Sequence, residues 1–360
     1  MISFRSCFVA TLIALTALSG GSVSLASTPA ATPLSGRLVV EPLDSTVLRG
    51  TRTGVDPRRH VRVYLPPGYE ASGRAYPVVY FCHSIFQGPA DVLKDGNLVN
   101  QIEQAVRSGA MAEFILVVGD YTGPTTGSLY ENNPATGRWL DHTVDELVPF
   151  IDGRYRTLRR PESRGLVGEM IGGRGAFQLA MQRPGVFGSL YALNPVGTAT
   201  GLLPVQTYPN WKKILTARSA DELKGDPISQ IFVAASQAYL PNEARPPFHC
   251  DFLMELKDGE PAYQADNAVK FIAGFLLHDR PDEEWRNLRR LRALAFDWSR
   301  YDPIQDHLTG SLSLSRKLER FGIEHEAEEY RGVYWSQNWG DHGRFARRVL
   351  PFLARNLEYR

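Results

Sequence analysis

Two hydrophobic periods interleave along this chain. Residues 37–40 and 60–65 read as strands; the second run alternates apolar with polar side chains and stops at the turn signal Pro66-Pro67-Gly68. Residues 77–82 and 114–119 are continuously apolar, as in strands covered on both faces. Between them the period lengthens to that of a helix. Residues 97–106 fit one helix, and 141–151 fit another, with Val144, Leu147, Val148 and Ile151 at i, i+3, i+4 and i+7. The series continues with a strand ending at Leu166-Val167, a helix through 175–181 and a strand at 189–193. Further on come a strand at 293–296, a helix over 311–321, a strand at 325–330 and a last helix over 344–357. This order predicts an α/β fold in which a mostly parallel sheet is flanked by helices. Residues 198 to about 290 interrupt the rhythm with a mainly helical stretch. It is expected to form an insertion over the carboxyl edge of the sheet, either a lid or plain surface helices.

The amino terminus predicts export. Arg5, the apolar run 8–18 and the small-residue site Ser24-Leu25-Ala26 form a cleavable signal over 1–26. The run is too short for a stable membrane span. Residues 27–36 are rich in Ser, Thr, Ala and Pro and predict a flexible lead into one domain over 37–360. The destination is the periplasm or the exterior. Removing Arg5 from 40 basic residues leaves 39, against 39 acidic, and no long Lys or Arg run appears. Nucleic acid is therefore not expected as a partner. Cys82 and Cys250 are too few for a disulfide framework, and Cys82 reads as a buried thiol inside an apolar run. No cofactor is expected. Gly172-Gly173-Arg174-Gly175 lacks the spacing of a dinucleotide loop. His142 and Glu146, at i and i+4, offer only two metal ligands and read as an exposed helix face.

The most informative stretch is Gly168-Glu169-Met170-Ile171-Gly172. It has the frame of G-x-S-x-G, a tight strand-to-helix turn whose glycines leave room for the bend. Met170 stands where that turn carries its nucleophilic serine. A thioether has no proton to lose and is only a weak hydrogen-bond acceptor.

Tyr64-Leu-Pro-Pro-Gly-Tyr69 and Tyr76-Pro-Val-Val-Tyr-Phe-Cys-His83 resemble the opening of the esterase-D-type branch of the α/β-hydrolases. That branch contains feruloyl and acetylxylan esterases, S-formylglutathione hydrolases and mycolyltransferases. Residues 137–156 and 168–187 continue the resemblance, which covers most of 55–197 and 290–355. It implies an α/β-hydrolase fold and a parental serine carboxylic-ester hydrolysis, with acyl transfer as a variant. Met170 takes the nucleophile position, so that chemistry is expected to be impaired or lost. The resemblance further implies an acid at Asp302, with Asp297 and Asp306 as alternatives, and a histidine at His342 rather than His307 or His325. Backbone donors for an oxyanion are expected at Ile171 and at Ile85, in the loop where Ser84 replaces the family's glycine. Phe86, Tyr121, Tyr334, Trp335 and Trp339 are candidates for a pocket wall or for core packing. The expected partner is a small ester or an acylated glycan or lipid. A pseudo-hydrolase that only binds is the alternative, and Ser84 is a further candidate nucleophile.

Overall fold

The computed structural model describes residues 36–94, 97–199 and 209–360, excepting the side chains at 335 and 336. The expected signal over 1–26, nearly all of the lead segment 27–36, and the side chain of Trp335 lie outside the described residues.

Among the described residues eight strands form the main sheet: β1 Arg37–Asp44, β2 Arg58–Leu65, β3 Val78–Cys82, β4 Ile115–Val118, β5 Arg164–Glu169, β6 Ser189–Leu193, β7 Ala293–Ser299 and β8 Glu326–Tyr330. Their order is β1-β2-β4-β3-β5-β6-β7-β8. β2 runs antiparallel to both neighbours, and pairing from β4 through β8 is parallel throughout. The continuous apolar runs have a direct cause. Val78, Tyr80 and Cys82 enter one hydrophobic layer while Val79 and Phe81 enter the other. Each face carries helices, so both phases of the strand are buried. β8 closes one edge with Glu326, Glu328 and Glu329, charges that blunt an exposed edge.

Seven longer helices lie among the described residues: α1 Asn97–Arg107, α2 over 139–154, α3 Ile171–Gln182, α4 Pro227–Tyr239, α5 Ala265–Phe275, α6 Gln305–Arg320 and α7 over 345–356. α1 and α7 cover one face, and α2, α3 and α6 cover the other. In both α2 and α7 a wide turn, His142–Leu147 or Phe345–Val349, ends two residues before Pro149 or Pro351. A proline inside a helix has no N–H to donate and crowds the preceding turn, and the wider turn absorbs the mismatch.

The expected exposed pair on α2 is corrected here. His142 is fully buried against Tyr121 and Trp139, and its Nδ1 meets Glu146 Oε2 at 3.1 Å. Ser45 and Thr46 also bond Glu146, because the turn after β1 folds over this helix. The period of 3.6 marked one buried stripe, but α2 is covered on a second side as well.

The insertion has its own core, in which Trp211, Phe232, Phe248 and Phe271 meet. Arg174, a wholly buried residue of α3, ties this core to the sheet. Its Nε donates to the carbonyl of Phe275 at 2.8 Å and its Nη2 to that of Gly274 at 3.2 Å. These carbonyls end α5 and lack helical partners, so a cation is favourable there.

Candidate active site

The strand-to-helix turn after β5 is held by backbone contact. Met170 has φ 53° and ψ −116°, a conformation that costs a side-chain-bearing residue energy. Its N–H donates to Leu193 O at 3.0 Å, and its carbonyl accepts from Arg174 N–H at 3.0 Å. A Cβ on Gly168 would lie 2.2 Å from Gly172 O, and one on Gly172 would lie 2.0 Å from Cys82 O. Both glycines are thus required by backbone that cannot move aside. Met170 sits at the apex of a fully formed nucleophile elbow.

Asn194, the residue after β6, links this apex to the acid. Its Nδ2 donates to Met170 Sδ at 3.5 Å and to Asp302 Oδ2 at 3.2 Å, while its Oδ1 accepts the Ser299 N–H at 2.7 Å. Asn194 is fully buried with φ 47°. Patterning along the chain missed it. The available signal was Asn-Pro directly after a strand, since Asn tolerates the left-handed region better than most residues.

The structure joins Asp302 to His307 and leaves His342 outside. His307 Nδ1 lies 2.9 Å from Asp302 Oδ2, with Ile304 N–H on Oδ1 at 2.9 Å. Burial alone would raise the Asp302 carboxyl. The hydrogen bond and charge of His307, helped by Ile304 and Asn194, outweigh it and hold the group below the usual carboxylate range. His342 is exposed, and its Nδ1 meets Arg347 Nη2 at 2.6 Å. This corrects the expectation that His342 would face the elbow. The reason lies in α6, which begins at Gln305 rather than 311 and so carries His307 in its first turn, beside Asp302. The weak helix formers Thr309, Gly310 and Ser311 concealed that start. Asp297 is buried under Arg344 and Tyr191, while His325 bonds Ser315 and stacks on Phe296.

Met170, Glu169, Ile171, Ser84, Ile85, Phe86, Asp306, His307 and Tyr334 line one pocket of about 550 Å³. The insertion supplies another part of its wall through Ile228, Ile231, Phe232, Phe275 and Leu276. This size suits a small ligand. Ile171 begins α3 and Ile85 follows β3, and neither amide donates to a protein acceptor among the described residues. Both expected oxyanion donors thus belong to residues of the pocket. His83 props the Ile85 loop from below, its Nε2 accepting Tyr121 N–H at 3.0 Å and its carbonyl accepting Tyr130 OH at 2.7 Å. Tyr121 is corrected from pocket wall to core: it is 1 % exposed and packs on Tyr130 and Trp139. Trp339 likewise packs on Phe81 and Phe345 instead of the pocket.

Glu169 was also missed as a site residue. It is 5 % exposed, and burial pushes its carboxyl up to about 7, with Asn338 lowering it only in part. Among the described residues no group of three or more His, Cys, Asp or Glu is placed to hold a metal, and no helix is long and apolar enough to cross a membrane.

A parallel sheet in this order, an elbow between β5 and α3 and a pocket at the carboxyl ends of β3, β5, β6 and β7 define an α/β-hydrolase. The chain belongs to the esterase family whose model, described as "Putative esterase", matches residues 53–242, more than half of its length. Among solved structures it is similar to a ferulic acid esterase, with a TM-score of 0.59 at 18% identity, covering 90% of this chain and 100% of that one. An S-formylglutathione hydrolase from Agrobacterium tumefaciens gives a TM-score of 0.57 at 15% identity, covering 91% and 98%. These likenesses concern the fold. By sequence the chain is 29% identical to an esterase of Mycobacterium tuberculosis over 36% of its own length and 27% of that protein's. It is 25% identical to the uncharacterized protein YbbA of Bacillus subtilis over 38% and 56%. The chain thus matches about half, or a quarter, of the length of these relatives.

Proposed function

We propose that this protein is an exported esterase-fold binder of a small ester, or of an acylated glycan or lipid, that lacks acyl transfer at its elbow. The observation that carries the reading is Met170 at the apex, its Sδ held by the same Asn194 amide that holds Asp302. In a serine esterase the hydroxyl attacks, a histidine takes its proton, and an acid orients the histidine. His307 and Asp302 supply the second and third groups, and the amides of Ile171 and Ile85 suit a developing oxyanion. Only the attacking group is absent. Losing the nucleophile of such a unit costs on the order of 10⁶ in kcat. Met170 also takes up the space that an acyl carbon would need. The apolar wall contributed by 227–276 supports the insertion as a lid, and the pattern over 1–26 supports export.

The test is to add 4-nitrophenyl butyrate to the purified chain, following release by absorbance and binding by calorimetry. The expected result is saturable binding with turnover near the background of free imidazole. Turnover far above background that disappears in Ser84→Ala would overturn the reading and make Ser84 the nucleophile.

A further inference from the structure

The pocket has a charge that ester binding alone leaves unused. Among its described lining residues Glu169 and Asp306 carry carboxyl groups, none is Lys or Arg, and one, His307, is an imidazole. Glu169 lies between the elbow glycine and Met170, 5 % exposed, and its Oε2 has no hydrogen-bond partner among the described residues. Beside it Asn338 is wholly buried and acts on the Glu169 carboxyl. Buried polar atoms are normally satisfied, and an orphaned acceptor is costly until a donor reaches it. The remaining wall is apolar and aromatic: Val196, Ile228, Ile231, Phe232, Phe275 and Leu276.

We propose that the ligand is an amphiphilic monocation, an apolar body ending in a protonated primary amine, for which Glu169 is the counter-ion. This rests on the ligand-binding reading above. An ammonium offers three donors and no acceptor, which matches the unpartnered Glu169 Oε2. The rings of Phe232, Phe275 and Tyr334 also favour a cation over an anion. A carboxylate ligand would instead meet Glu169 and Asp306 with no Lys or Arg among the described wall residues to offset them.

The proposal carries a pH signature. Burial holds Glu169 at about 7, and the groups around it are Asn338, Tyr330 and Tyr334, with Asp306 and His307 also lining the pocket and Asp302 behind His307. A cation binds the ionised carboxylate and competes with its proton, so affinity rises as pH rises through 7.

The experiment titrates the chain calorimetrically with octylammonium, octanol and octanoate at pH 6 and pH 8. The ammonium keeps its charge at both values. Octylammonium is expected to bind at least about tenfold tighter than octanol at pH 8, with octanoate weakest. Its affinity should fall roughly five- to tenfold at pH 6. Glu169→Gln should bring octylammonium and octanol to similar affinities and remove the pH dependence. Octanol or octanoate binding as tightly as octylammonium overturns the inference and leaves the ligand-binding reading in place. No binding by any of the three overturns both. An ammonium preference that survives in Glu169→Gln overturns the role of Glu169. The pH comparison on the unaltered chain stands even if the variant does not fold.

Discussion

Two loops leave neighbouring strands at the carboxyl edge of the sheet, and each is followed by a histidine. After β7 the chain turns within a few residues and enters α6 at Gln305. Asp302 accepts the Ile304 N–H, and the first turn of α6 sets His307 on the other carboxylate oxygen. After β8 the chain runs through residues 331–344 before α7, and His342 ends exposed beside Arg347, one turn further on. What the second loop brings toward the elbow is Asn338, beside Glu169. The difference shows how a local constraint fixes a site. An acid and a base five residues apart across a helix start need no long-range packing to meet. A histidine late in a long loop reaches the pocket only if the whole loop folds inward.

The largest effect separates the two histidines directly. In a Met170→Ser background, His307→Ala should lower kcat/KM on aryl esters by about 10³ or more, and His342→Ala should change it by less than about threefold. Equal losses would erase the distinction between the loops. The two aspartates give the next contrast. Asp302→Ala removes hydrogen bonds to His307, Ile304 and Asn194 and should cost about 2 kcal/mol in urea unfolding. Asp341→Ala, on the exposed loop, should cost less than about 0.5 kcal/mol.

A smaller effect concerns Glu169. A carboxyl raised to about 7 in the folded chain binds an extra proton between its ordinary value of 4.5 and 7. Folding stability therefore falls as pH rises through that window. Glu169→Gln abolishes the dependence, so the variant should gain about 1–3 kcal/mol on the parent at pH 8 and progressively less toward pH 5. Equal gains at both pH values would mean that Glu169 is not held protonated by burial.

Strand order, helix alternation and the elbow were legible because each follows from short-range rules. Buried strands demand both phases apolar, and Gly168 and Gly172 are dictated by backbone within three ångströms. The partners of Met170 were less legible because they depend on where one helix starts. Thr309, Gly310 and Ser311 are poor helix formers, and tertiary packing carried α6 through them. Asn194 and Glu169 left still weaker traces, since neither matters except through what other strands place beside it. Tyr121 and Trp339 teach the converse: an aromatic at a strand end serves the core as readily as a pocket.

The most direct measurement uses a phosphonate that reacts only with an activated serine. The chain and its Met170→Ser variant would be incubated with a fluorophosphonate, and the adduct located by mass spectrometry. The account predicts no adduct on the unaltered chain and a single adduct at position 170 in the variant, abolished by His307→Ala. An adduct on the unaltered chain, or a folded variant that stays unlabelled, would contradict the claim that Met170 alone stands between this site and acyl transfer.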